Sequence, residues 1–173
     1  LKQEFSQMLI GRHDQLNQLA EDYFDLEDLL AIRDRMIGTG RIGGKTTGML
    51  LARKILKTAA DCDEISMAMD DHDSFYIGSD VFFTFLIENN LFRQRLQLLR
   101  NNQLGEQEFK NIEETFLGGN FSSDIMVQFR NMLDYFGQAP IIVRSSSLLE
   151  DSFGNAFAGK YRSEFCVNQG SPE

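Results

Sequence analysis

The sequence predicts a domain that mixes helices with a few short strands, and three observations predict it. Residues 141–144 are an apolar β-branched run, Ile141-Ile142-Val143, ending abruptly in Arg144, and residues 161–167 form a second extended run, so the two read as strands flanking a polar, glycine-bearing loop. Residues 46–58 and 124–136 carry apolar side chains at helical spacing: Met49, Leu50, Ile55 and Leu56 in the first, Ile125, Met126, Phe129, Met132, Leu133 and Phe136 in the second. Helix boundary residues punctuate the chain where these patterns change, with Asp25, Ser79 and Ser123 at starts and Gly118-Gly119 and Gly137 at stops.

Taken in order, residues 1–20 are polar and Gln-rich, with Phe5, Met8, Leu9, Leu16 and Leu19 at loosely helical spacing, and predict one helix. Asp25 caps a second over 26–36. Gly38, Gly40, Gly43 and Gly44 make a glycine-rich turn into the helix of residues 46–58. Residues 64–69 and 75–77 read as short strands around an acidic turn, Asp70-Asp71-His72-Asp73, and Ser79 caps a helix over 80–88. Helices follow over 91–99, around Phe109, Ile112, Phe116 and Leu117, and after Ser123, whose Met and Phe stripe is expected to be core. Pro140 leads into the strand that delivers Arg144.

A chain of 173 residues with 42% hydrophobic and 11% aromatic content suits one packed domain. Its net charge of −9 disfavours a general nucleic-acid surface, because a polyanion would be repelled; an anionic ligand needs a local cluster of cations. Cys62 and Cys166 lack disulfide or metal spacing, which fits a reduced, cytoplasmic setting. No apolar run reaches the length of a membrane span, no secretory leader is visible, and the start at Leu1 without Met reads as an excised piece of something longer. His13 and the aspartates around His72 read as solvated surface, with no ordered metal-ligand spacing.

Two places carry chemistry. Lys45 falls in the first turn of its helix, an unfavourable position for a cation unless an anion shares the positive end of the macrodipole. Arg144 ends a β-branched run, so the core holds its stem while a planar fork of donors, suited to phosphate oxygens, points at the loop. Gly44-Lys45-Thr46 also ends like a P-loop, but the required earlier glycine is Thr39, and that reading further needs a strand ending near Gly38.

Three ordered segments resemble phosphoenolpyruvate synthase and pyruvate phosphate dikinase. They are Gly43-Gly44-Lys45; Ser74-Phe75-Tyr76-Ile77-Gly78-Ser79-Asp80 with the phrase Phe85-Leu86-Ile87-Glu88-Asn89-Asn90-Leu91; and Val143-Arg144-Ser145-Ser146, Glu150-Asp151, Gly154 and Phe157-Ala158-Gly159. The resemblance spans residues 37–168 and implies an α+β architecture, the N-terminal lobe of an ATP-grasp module, with a small, mostly antiparallel sheet and packed helices. Residues 1–36 would precede it as a helical segment, with the lobe over 37–173. In that family ATP lies between two lobes and its terminal phosphates pass to a histidine on a separate domain, releasing AMP and phosphate, before a further domain serves pyruvate.

By that resemblance Lys45 and Arg144 are the catalytic cations on the ATP phosphates. Gly43, Gly44, Ser145, Ser146, Gly154, Phe157, Ala158, Gly159 and Lys160 bind the nucleotide. The Mg²⁺ ligands fall outside this chain, and this fragment alone would not turn over. Lys160 and Ser163 depart from the family's usual glutamine and threonine. No Thr-x-His phosphocarrier phrase is present. A P-loop NTPase and a non-catalytic nucleotide-binding module are the alternatives.

Overall fold

The computed structural model describes residues 1–11, 14–59, 73–100, 105–146, 151–152, 155–156 and 161–170. Three helices open the chain: α1 (Lys2–Ile10), α2 (Asp14–Tyr23) and α3 (Leu26–Asp34). The single helix expected over residues 1–20 is therefore two. Gly11, at φ +100°, occupies backbone space that a side chain would strain, and its carbonyl accepts the buried Asn17 Nδ2 at 2.8 Å, which fixes the corner. Asp25 caps α3 as expected, in a reciprocal pair: Asp28 N–H donates to Asp25 Oδ1 and Asp25 N–H to Asp28 Oδ2, both at 2.9 Å. His13 lies outside the described residues.

The helix expected to run to residue 36 stops at Asp34, because the next residues pair instead. β1 (Met36–Ile37) runs parallel to β2 (Tyr76–Ile77), and both β1 residues are buried. Tyr76 N–H donates to the Arg35 carbonyl and Gly78 N–H to that of Ile37, each at 2.9 Å, so a non-local ladder outcompetes the last helical turn. After β1 a loop leads to α4 (Gly44–Thr58). Lys54 on α4 reaches Asp28 at 2.6 Å and Asp25 at 3.1 Å, tying α4 to the α3 cap. The expected strand over 64–69 and the aspartates before Asp73 lie outside the described residues, as does Cys62.

Among the described residues four further helices follow: α5 (Ser79–Glu88), α6 (Phe92–Arg100), α7 (Glu106–Leu117) and α8 (Ser123–Phe136). Gly118 ends α7, and Gly137, at φ +57°, ends α8 as expected. Neither expected serine cap forms. Gly78 precedes α5 while the Ser79 hydroxyl accepts from Arg41 N–H at 3.1 Å. Ser123 sits inside α8, with Ser122 at its N-cap, too late in the helix to accept the orphan N–H groups.

β3 (Ile141–Arg144) pairs antiparallel with β6 (Ser163–Cys166), in the register Ile141↔Cys166 to Arg144↔Ser163. β4 (Asp151–Ser152) pairs antiparallel with β5 (Asn155–Ala156). Among the described residues the strands thus form three two-stranded ladders, two of them antiparallel, and the domain is α+β with small sheets.

Leu9, Ile10, Leu16, Ala20, Phe24, Leu29 and Ile32 from the first three helices and their connections share a cluster with Met36, Ile42 and Leu51. Residues 1–36 and α4 therefore have one core. A second cluster joins Ile37 and Val81 to Ile125, with Phe75, Phe129 and Met132 against it. The α8 stripe is only partly core: Met126 is 37% and Leu133 39% exposed. None of the described helices is long and apolar enough to cross a membrane.

Arg35 pins the second cluster to α3. Its guanidinium lies 5.0 Å from the Phe75 ring centroid and 4.3 Å from that of Tyr135, donates to Tyr135 Oη at 2.8 Å, and pairs with Asp73 at 3.1 Å. The Tyr135 bond, ahead of the Asp73 charge, raises its pKa against the pull of desolvation. Arg35→Ala is expected to lower stability by about 1–3 kcal/mol, and Arg35→Lys, lacking the planar fork, to recover only part of it in chemical denaturation.

Candidate functional site

Glycine dominates residues 38–44, and the structure divides the work between two pairs. Gly38 and Gly40 face a carboxylate; Gly43 and Gly44 open α4.

The first pair wraps Asp80. Its Oδ2 accepts Thr39 N–H at 2.8 Å and the Thr39 hydroxyl at 3.1 Å, and its Oδ1 accepts Gly40 N–H at 2.7 Å. Partial burial pushes the Asp80 carboxyl upward, but the Thr39 and Gly40 donors outweigh it and hold the pKa below the ordinary value of 3.8. The sign follows: the unfolded carboxyl takes up its proton at higher pH than the folded one. The stability that Asp80 contributes is therefore full above the ordinary value and is lost as pH falls through the lower folded value. Denaturation midpoints followed from about pH 6 to 3 should fall less steeply in Asp80→Asn than in the wild type.

Every backbone N–H from Gly38 to Ile42 has a protein acceptor. Gly38 donates to Gln128 Oε1 at 2.8 Å, Thr39 and Gly40 to Asp80, Arg41 to Ser79 Oγ, and Ile42 to the Leu9 carbonyl at 2.8 Å. β1 does end just before Gly38, as the P-loop reading requires. A P-loop, however, cradles phosphate with the N–H groups of its glycine-rich turn, and here those donors already bond protein oxygens.

The second pair meets the far end of the chain. Gly43 caps α4 without a side chain, and a Cβ built on it would overlap the Ser146 carbonyl. Next to it the Ser146 hydroxyl accepts Thr46 N–H at 2.9 Å and lies 3.0 Å from the Thr46 hydroxyl. Ser146 thus satisfies one of the orphan donors in the first turn of α4 from one hundred residues away. β4 also lies against α4. The junction brings together the segments that carry Lys45, which is partly buried, and Arg144, which is paired in register with Ser163 at the tip of β3 and is exposed, not held at its stem by the core as expected, because Ile142 and Val143 before it are exposed too.

Of the expected site residues, Gly43, Gly44, Lys45, Arg144, Ser145 and Ser146 fall at or beside this junction. Gly154, Phe157, Ala158, Gly159 and Lys160 lie outside the described residues. Sequence reasoning missed Thr46 as a partner of Ser146, and it missed Asp80 as the anchor of the glycine turn. For Asp80 a signal existed: alternating Gly38 and Gly40 invite an acceptor, and Asp80 follows Gly78 in a segment already singled out. Among the described residues no group of three or more His, Cys, Asp or Glu is placed to hold a metal ion.

Fold and junction together define a class: an α+β domain whose glycine-opened helix start is set against a strand end bearing an arginine and serines. The chain belongs to the pyruvate phosphate dikinase AMP/ATP-binding domain family, whose model matches residues 39–173. It is an ATP-binding domain. Comparisons with curated proteins and with solved structures returned no match.

Proposed function

We propose that this domain binds the ATP of a dikinase-like phosphotransferase and that the junction of α4 with β3 is where the phosphates sit. What supports this most is the pair of contacts from Ser146 to Thr46, which sets the Lys45 turn beside the strand tip carrying Arg144. In this reading the Lys45 ammonium and the Arg144 guanidinium stabilise charge as it moves off the nucleotide, the usual protein contribution to phosphoryl transfer. Ser145, Ser146 and the α4 N–H groups at Gly44 and Lys45 donate to phosphate oxygens. Gly154, Phe157, Ala158, Gly159 and Lys160 form a flap over them. One phosphoryl group then passes to a histidine nitrogen on another domain of the parent protein, which gives up its proton, the other leaves as phosphate by reaction with water, AMP remains, and a phosphoenolpyruvate/pyruvate domain completes the cycle. We place the protein in the cytoplasm, where ATP and free thiols such as that of Cys166 belong.

The resemblance implies Mg²⁺; among the described residues no group of three or more His, Cys, Asp or Glu is placed to hold it, and no step of this proposal runs through a metal held by them. The parent protein incubated with ATP is expected to form AMP. ADP as the sole product would point to an NTPase, and saturable ATP binding without any turnover to a nucleotide-binding module.

A further inference from the structure

We infer that Asp80 is a positioning residue of the ATP site, holding the turn that sets the Lys45 segment against Ser146. The inference rests on the reading of that junction as the phosphate site.

Asp80 is the second residue of α5, already past the N-cap, so it is not needed as an ordinary helix cap. Its carboxylate takes three donors from a loop forty residues earlier. Glycine clears the space for it on three sides. A Cβ at Gly40 would lie 2.6 Å from Asp80 Oδ1 and 2.5 Å from Asp80 N, one at Gly78 2.5 Å from Oδ1, and one at Gly38 2.7 Å from Oδ1. A side chain at any of these positions would collide with the carboxylate or with the start of α5, so glycine is what lets the turn close on Asp80.

That arrangement reaches the junction through a short, fully tethered path. Arg41 N–H bonds Ser79 Oγ, Ser79 N–H returns to the Arg41 carbonyl at 3.0 Å, and Ile42 N–H is held by Leu9. Gly43 comes next, against the Ser146 carbonyl, and Lys45 lies five residues beyond Gly40. Residues 40–43 are thus a four-residue link between the turn held by Asp80 and the seat of Gly43 against Ser146, and loosening the turn at Gly40 loosens one end of that link. A phosphate site built across that contact is sensitive to shifts of an ångström or less.

The experiment measures ATP affinity by calorimetric titration in the protein that carries this chain, together with the melting temperature of each variant. Asp80→Asn keeps the size of the side chain but turns one acceptor into a donor facing an N–H. ATP affinity is expected to fall about tenfold while the variant remains folded at the titration temperature. Asp25→Asn loosens the α3 cap and its ion pair with Lys54, nine residues beyond Lys45 on α4, and serves as the control for destabilisation alone: it should melt earlier yet bind ATP like the wild type. Wild-type affinity in Asp80→Asn, or an equal loss in Asp25→Asn, overturns the positioning role. Lys45→Ala separates the two levels. If it binds ATP weakly while Asp80→Asn binds normally, the site stands and the role of Asp80 does not. If Lys45→Ala and Arg144→Ala both bind as the wild type does, the reading of the junction falls, and the role of Asp80 with it.

Discussion

Replacing Arg144 with alanine is expected to abolish AMP formation by the parent protein, with a loss of at least about a hundredfold in rate, while leaving the fold intact. The two halves of that expectation have separate physical causes. Arg144 ends β3 with an exposed side chain, and its backbone pairing with Ser163 does not depend on the guanidinium, so stability should change by about 0.5 kcal/mol or less. A triphosphate transferring charge, by contrast, loses a bidentate donor that water replaces poorly. Arg144→Lys should rescue only a fraction, because a point charge lacks the planar fork. Product analysis by chromatography, alongside a melting curve, reads both halves. Undiminished AMP formation in a folded Arg144→Ala variant would remove the strand tip from the chemistry.

Gly43→Ala should be strongly destabilising. The new Cβ has nowhere to go: it meets the Ser146 carbonyl, a backbone group, not the end of a flexible side chain. Either α4 or the end of β3 has to retreat, opening the Thr46–Ser146 bonds, and overpacking of this kind costs about 1–3 kcal/mol. ATP affinity should fall with it, since the Lys45 turn and the Arg144 strand are separated by the same movement. Gly48→Ala, on the same helix with open space around its Cβ, is the matched control and should be neutral or stabilising by up to about 1 kcal/mol. Equal melting temperatures and equal ATP affinities for the two variants would show that Ser146 does not rest on α4 in solution.

Much of the fold is legible without coordinates because its signals act within a few residues. The cap of α3 by Asp25, the glycine stops of α7 and α8, the start of α4 at Gly43-Gly44 and the strands on either side of the serine loop each follow from propensity and spacing over one or two turns. The three ordered family segments were readable for the same reason, and the match over residues 39–173 covers them. Expectations failed where a distant partner overrode a local preference. Met36 left its helix for β2, Ser79 gave its hydroxyl to Arg41, and Gly11 split one polar helix into two through its bond with Asn17.

By itself, then, the sequence determined that this is a helix-and-strand ATP-binding domain with Lys45 at a helix start and Arg144 at a strand tip. Only the tertiary structure decided that Ser146 caps α4 from across the chain and that Asp80 occupies the N–H groups a P-loop would have kept for phosphate. The physical reason is that a hydrogen-bond donor does not specify its acceptor. Spacing along the chain shows that a glycine turn exposes N–H groups, but which oxygen fills it depends on packing between segments forty and one hundred residues apart.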